Sequence, residues 1–147
     1  MIKKISFLLI ATVTMWLTTT GLIPQSGEPW SAKQLMEPGK LAAILKNDTI
    51  IKPLIVSVGP GALIPGSIDP GPVSDDMGLF KQLLSEKDKN VEIVVYCGCC
   101  PFKHCPNIRP AITYLKEHGF TSYRLLNLPN NIKVDWIDRG YPVQSDK

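Results

Sequence analysis

The chain has 147 residues, 44% of them hydrophobic and 20% charged, which is enough apolar material for one hydrophobic core and too little for two. The formal net charge is only +3 and the lysines form no basic run, so the composition argues against nucleic acid as a partner.

The first residues have the layout of a bacterial secretory signal. Lys3 and Lys4 precede an apolar run over residues 5–17, and small residues follow it. Weakly apolar sequence then continues, so that the segment nearly reaches the length of about 20 residues that a membrane-spanning helix needs. We therefore predict a signal peptide or an N-terminal anchor over residues 1–23. The protein is expected to be exported to the periplasm, free or membrane-anchored, where the environment is oxidising.

The first half of the expected domain, residues 30–147, follows a linker rich in proline and glycine over residues 24–29. Ser31 is placed as the N-cap of a short helix. The apolar spacing of residues 41–45 predicts a second helix, and the run LIVSV at residues 54–58 predicts a buried strand.

The second half alternates strand and helix patterns. The expected elements are a turn into an edge strand (64–68), a helix (77–84), a central strand (91–96), a helix ending before Gly119 (108–115), a strand (123–126) and a closing segment with a helical turn (136–143). Strands that alternate with helices predict an α/β domain with a central parallel sheet flanked by helices.

All four cysteines lie in one loop, CGCCPFKHC, between the predicted central strand and the next helix. Cys97 is expected at the carboxyl end of the strand, where ligands bind in open α/β sheets. A helix start nearby lowers the pKa of a thiol and populates the nucleophilic thiolate. The loop is therefore the predicted site, with Cys97 as its nucleophile; a structural buried thiol is the alternative.

Four short motifs in this order resemble the rhodanese-like domain family. They are IPGSI (64–68), VVYC (94–97), LKEHGF (115–120) and WIDRGYPV (136–143). The resemblance implies a three-layer α/β fold and a catalytic Cys97 that carries sulfane sulfur as a persulfide, with no cofactor. It also implies a small sulfur donor such as thiosulfate or a persulfide, and a thiol or cyanide as acceptor. The chain departs from the family at residues 57–60, which lack the usual Asp and Arg, and in its longer cysteine loop.

The loop residues have expected roles around Cys97. Backbone N–H groups from Gly98 to His104 are expected to stabilise the thiolate or persulfide, as an oxyanion hole stabilises an oxygen. Lys103 and His104 are the basic side chains that are expected to steer an anionic donor. The members expected in the active-site loop and anion site are Gly98, Cys99, Cys100, Lys103 and His104, and the possible resolving or disulfide cysteines are Cys100 and Cys105.

Several alternatives use the same loop. Cys97 and Cys100 form a CxxC pair of the kind found in thiol–disulfide oxidoreductases. A soft-metal site for copper or zinc is a second possibility, with Cys97, Cys99, Cys100, Cys105 and His104 as ligands. Against the metal, adjacent Cys99 and Cys100 are not expected to face one ion. Disulfides that only staple the loop, and a non-catalytic binding domain on the same frame, complete the alternatives.

Overall fold

The structure is a computed structural model that describes residues 27–60 and 63–144. The elements in chain order are β1 (Leu35–Met36), α1 (Pro38–Lys46), β2 (Leu54–Ser57), β3 (Ser67–Ile68), α2 (Gly78–Ser85), β4 (Ile93–Tyr96), α3 (Ile108–Glu117) and β5 (Tyr123–Leu126). All five strands are parallel, in the order β1-β5-β4-β2-β3. The predicted α/β domain with a central parallel sheet is therefore confirmed.

Helices cover both faces of the sheet, which gives the three predicted layers. Apolar residues of α2 and α3, among them Phe80 and Ile112, pack in one cluster against one face of the sheet. Leu41 of α1 packs with Trp136 against the other face. Burial of both faces explains why the central strands read as continuous apolar runs and do not alternate with polar residues.

Strand β4 lies in the middle of the sheet, paired with β2 on one side and β5 on the other. Successive side chains of a strand point to opposite faces. Val95 and Cys97 accordingly join the layer of α2 and α3, whereas Tyr96 joins the layer of α1. The cysteine loop thus begins at the carboxyl end of the most protected strand, on the side where α3 starts.

The IPGSI motif forms the predicted turn and edge strand. The Tyr96 hydroxyl accepts a hydrogen bond from the Ile64 N–H at 3.0 Å and lies 3.2 Å from the Ser67 Oγ. The turn is therefore tied to β4 at the residue that precedes Cys97. Gly119 ends α3 with a φ of 76°, a left-handed conformation that suits glycine at a helix end.

Two segments differ from the expected elements. After Ser31 the chain makes only a 3-10 turn, Ala32–Gln34, and then forms β1, which no sequence pattern predicted. The closing segment contains a five-residue π-helix, Lys133–Ile137, where a helical turn was expected. Strand β1 depends on tertiary pairing, since it exists only through its ladder with β5.

The predicted signal peptide or anchor, residues 1–23, lies outside the described residues. Across the residues that are described, no helix is long and apolar enough to cross a membrane. Of the predicted linker, only residues 27–29 are described. Glu28 there accepts a hydrogen bond of 2.6 Å from Arg109 near the start of α3.

Candidate active site

The four cysteines lie in the short loop between β4 and α3. Cys97 follows β4 directly and is 1% exposed, and Cys105 precedes α3 and is also 1% exposed. Cys99 is exposed and Cys100 is half-buried. All four cysteines are free in this structure, and no disulfide links them. The alternative of a loop closed by disulfides is therefore not observed.

The loop brings all four sulfurs together. Every pair of Sγ atoms lies within 4.8 Å. The Sγ of Cys99 is 3.4 Å from that of Cys97 and 3.3 Å from that of Cys100. The expectation that adjacent Cys99 and Cys100 do not face one ion is not supported, because both sulfurs lie within 4.8 Å of the other two. His104 does not join the cluster.

Two backbone hydrogen bonds hold the loop in this bend. The Ile132 N–H donates to the Gly98 carbonyl at 3.0 Å, and the Phe102 N–H donates to the Leu128 carbonyl at 3.2 Å. The Phe102 ring also packs against Trp30, with ring centroids 5.7 Å apart. The loop is therefore anchored at its start and its middle to segments that are remote in sequence.

The thiols share protons unequally. A hydrogen bond from the Cys97 thiol, together with backbone N–H groups of Asn107 and Ile108, lowers the pKa of Cys105 to about 5. The hydrogen bond to Cys105 and burial raise the pKa of Cys97, so the expectation that the helix start lowers it is wrong. Burial raises the pKa of Cys100 to about 12. At neutral pH the buried pair of Cys97 and Cys105 thus holds one proton and one negative charge between them.

Gly59 and Asn107 also belong to the site, although no sequence motif predicted a role for either residue. A Cβ at Gly59 would lie 2.7 Å from the Cys97 Sγ and 2.7 Å from the Asn107 amide nitrogen, so only glycine leaves room for both groups. The buried Asn107 side chain accepts a hydrogen bond from the Ser74 N–H at 2.8 Å. Gly59 follows β2 and lies beside the Cys97 sulfur, where a larger residue would clash.

The residues expected to bind an anion are only partly assembled. Lys103 and His104 are exposed at the tip of the loop, in the 3-10 turn Phe102–His104. Two of the N–H groups expected around Cys97 have other partners: Phe102 donates to Leu128, and His104 donates to Pro101 at 2.9 Å. The Cys99 N–H does lie against the Cys97 sulfur.

Two open surface pockets lie away from the cysteines. One of about 290 Å³ lies against β3 and α2, and one of about 370 Å³ lies beside α3. Neither is lined by a cysteine. We place the site at the thiols, because they are the clustered nucleophilic groups of the described residues.

Comparisons with known proteins bear on the fold. No protein-family model matches the chain, and no curated protein sequence matches it. Among solved structures, the crystal structure of the Alr3790 protein from Anabaena sp. is similar, with a TM-score of 0.54 and 20% sequence identity. The match covers 75% of this chain and 91% of that chain. A likeness at this level of identity shows the fold alone.

Proposed function

We propose that this chain is an exported, rhodanese-like sulfurtransferase that carries sulfane sulfur as a persulfide on Cys97. The observation that supports this best is the place of Cys97. It lies at the carboxyl end of the central strand, and its sulfur is hydrogen-bonded to a second thiol at the start of α3. Ligands of parallel sheets bind at this edge, and a nucleophile next to a base is the arrangement that covalent catalysis requires.

Cys105 is the base in this proposal. The two thiols share one proton across their hydrogen bond, and when that proton lies on Cys105, Cys97 is the thiolate that attacks. With thiosulfate as donor, a bond forms between the Cys97 Sγ and the sulfane sulfur. The sulfur–sulfur bond of thiosulfate breaks, and sulfite leaves with the electron pair. Proton transfer from Cys97 to Cys105 thus replaces proton transfer to water.

The second half-reaction returns the sulfur to an acceptor. Cyanide or an external thiol attacks the outer sulfur of the persulfide, and thiocyanate or a new persulfide leaves. The Cys97 thiolate is regenerated and takes back its proton from Cys105. Exposed Lys103 and His104 stand at the loop tip, where a cationic side chain raises the local concentration of an anionic donor.

A thiol–disulfide activity is the second candidate, and the short sulfur distances favour it. The Cys99 Sγ lies 3.4 Å from the Cys97 Sγ, and the Cys100 Sγ lies within 4.8 Å. Attack by either thiol on the inner sulfur of a Cys97 persulfide would release hydrosulfide and leave a disulfide. An external dithiol would then reduce that disulfide and return two protons to the site.

The test uses the full chain, reduced and freed of metal, with Cys97→Ser and Cys99→Ser variants. After incubation with thiosulfate, intact mass should show one added sulfur atom on the parent and on Cys99→Ser, but none on Cys97→Ser. Thiocyanate formation from cyanide should follow the same order. Loading that persists in Cys97→Ser would refute the role of Cys97. Insulin reduction without sulfur loading would favour the thiol–disulfide activity instead.

A further inference from the structure

The sulfur cluster has the dimensions of a tetrahedral metal site. A zinc ion bound by thiolates at about 2.3 Å places the sulfurs of a regular tetrahedron about 3.8 Å apart. In this chain two Sγ distances are 3.4 and 3.3 Å, and all others are below 4.8 Å. Small side-chain adjustments would therefore bring all four sulfurs within bonding distance of one ion.

The surroundings of the sulfurs match those of a thiolate metal site. Four thiolates around a divalent ion carry a net charge of −2, which the protein must stabilise with donors in the outer shell. The Cys99 N–H faces the Cys97 sulfur, and the Asn107 and Ile108 N–H groups face the Cys105 sulfur. Cys97 and Cys105 also lie within the apolar cluster of α2 and α3.

The cluster is also reachable by an ion from solvent. Cys99 is exposed and Cys100 is half-buried, so the two outer ligands stand at the surface, whereas Cys97 and Cys105 close the site from the inside. Four thiolate ligands select zinc among the common divalent ions, because soft sulfur ligands suit zinc and the cluster offers none of the oxygen ligands that suit magnesium and calcium.

The geometry points to a further ligand for this loop: one zinc ion bound by the thiolates of Cys97, Cys99, Cys100 and Cys105. Binding replaces the remaining thiol protons, which pass to solvent, and no electrons move. The ion occupies the same Cys97 sulfur that the persulfide needs. Zinc and sulfane sulfur therefore exclude each other, and this last statement alone rests on the proposed function.

The experiment measures zinc and sulfur on the same preparations of the full chain. Reduced protein is loaded with zinc under anaerobic conditions, passed over a desalting column and assayed for zinc by elemental analysis and native mass spectrometry. Cobalt(II) replaces zinc in a parallel sample, since its visible absorption reports tetrahedral thiolate ligands. The variants are Cys99→Ser, which removes an exposed ligand, and His104→Ala, which changes an exposed residue of the same loop outside the cluster.

We expect one zinc ion per parent chain, with all four thiols protected from alkylation. Zinc affinity should fall by at least tenfold in Cys99→Ser, because even outer-shell changes cost about 10–100-fold in metal affinity. His104→Ala should keep parental affinity. Circular dichroism of each variant establishes that it has folded, and the alkylation result on the parent needs no variant.

Either of two results would overturn the inference: no stoichiometric zinc on the reduced parent, or equal zinc binding by the parent and Cys99→Ser. Loss of zinc in His104→Ala, or copper(I) bound where zinc is not, would overturn the four-thiolate zinc assignment. Sulfur loading is assayed on zinc-free and zinc-loaded samples. A zinc-free protein that accepts no sulfur refutes the proposed function and leaves the zinc site standing, whereas loading unaffected by bound zinc refutes their exclusion.

Discussion

Replacing Cys105 with serine tests the shared proton of the two buried thiols. In the parent the pKa of Cys105 is lowered to about 5, so the pair carries one negative charge across the neutral range. A serine hydroxyl does not ionise near neutral pH, so in the variant Cys97 titrates alone. An ordinary thiol with a pKa of about 8.5 is about 3% thiolate at pH 7, and burial of Cys97 reduces that fraction further. Cys105→Ser also removes the group that accepts the Cys97 proton, so sulfur loading at pH 7 should fall by about 100-fold or more, the usual contribution of a positioned base.

The pH profile gives the sign of the effect. A depressed pKa keeps Cys105 charged above about pH 5, so loading of the parent should be flat over the neutral range and should fall as pH drops through that value. In Cys105→Ser the rate should rise about tenfold per pH unit, because each unit raises the thiolate fraction tenfold. Single-turnover loading from thiosulfate, followed by intact mass, measures both profiles, and Cys99→Ser is the matched control. A Cys105→Ser protein with parental rate and a flat profile would refute the shared proton.

Three further substitutions test the packing around the thiols. Gly59→Ala places a methyl group 2.7 Å from the Cys97 sulfur and 2.7 Å from the Asn107 amide, so the free energy of unfolding should fall by about 1–3 kcal/mol in urea denaturation. Asn107→Ala leaves the Ser74 N–H without its acceptor, and a loss of about 1–3 kcal/mol with slower sulfur loading is expected in the same assays. Arg109→Ala removes a surface ion pair, so the unfolding free energy should change by about 1 kcal/mol or less. Its KM for thiosulfate should stay parental in thiocyanate assays.

Each of these three expectations has a contradicting outcome. Parental stability of Gly59→Ala would mean that the sulfur and the amide have room to move. Parental stability and loading of Asn107→Ala would mean that the amide does not hold the start of α3. A raised KM in Arg109→Ala would place the guanidinium in the donor site, where the structure has it paired with Glu28.

The elements with strong local patterns match the sequence-based expectations. The β-branched run of β4 is a central strand buried on both faces, and α3 follows its apolar spacing and ends before Gly119. Strand β1 has no such pattern. Leu35 and Met36 are extended because they pair with β5, which is a tertiary effect that a local pattern does not carry.

The local sequence pattern also does not predict that the four sulfurs come together. Motif spacing identifies Cys97 at the end of a strand, but the paths of Cys99 and Cys100 depend on hydrogen bonds from Ile132 and Phe102 that join the loop to segments after β5. The same holds for Gly59, whose role is to leave space for a sulfur that is remote in sequence. Such contacts follow from the assembled fold, not from residue types at a fixed spacing.

The alternation of side chains along β4 restricts where the gene can gain or lose codons. Tyr96 and Cys97 are neighbours that serve opposite layers, one holding the IPGSI turn and the other the thiol cluster. Adding or deleting a single residue within β4 would exchange the two faces and bury the thiol beneath α1. The residues after Cys97 are not part of β4, so this alternation does not restrict the length of the loop. The length of the loop between Cys97 and α3 can therefore change without moving Cys97 to the other face of the sheet.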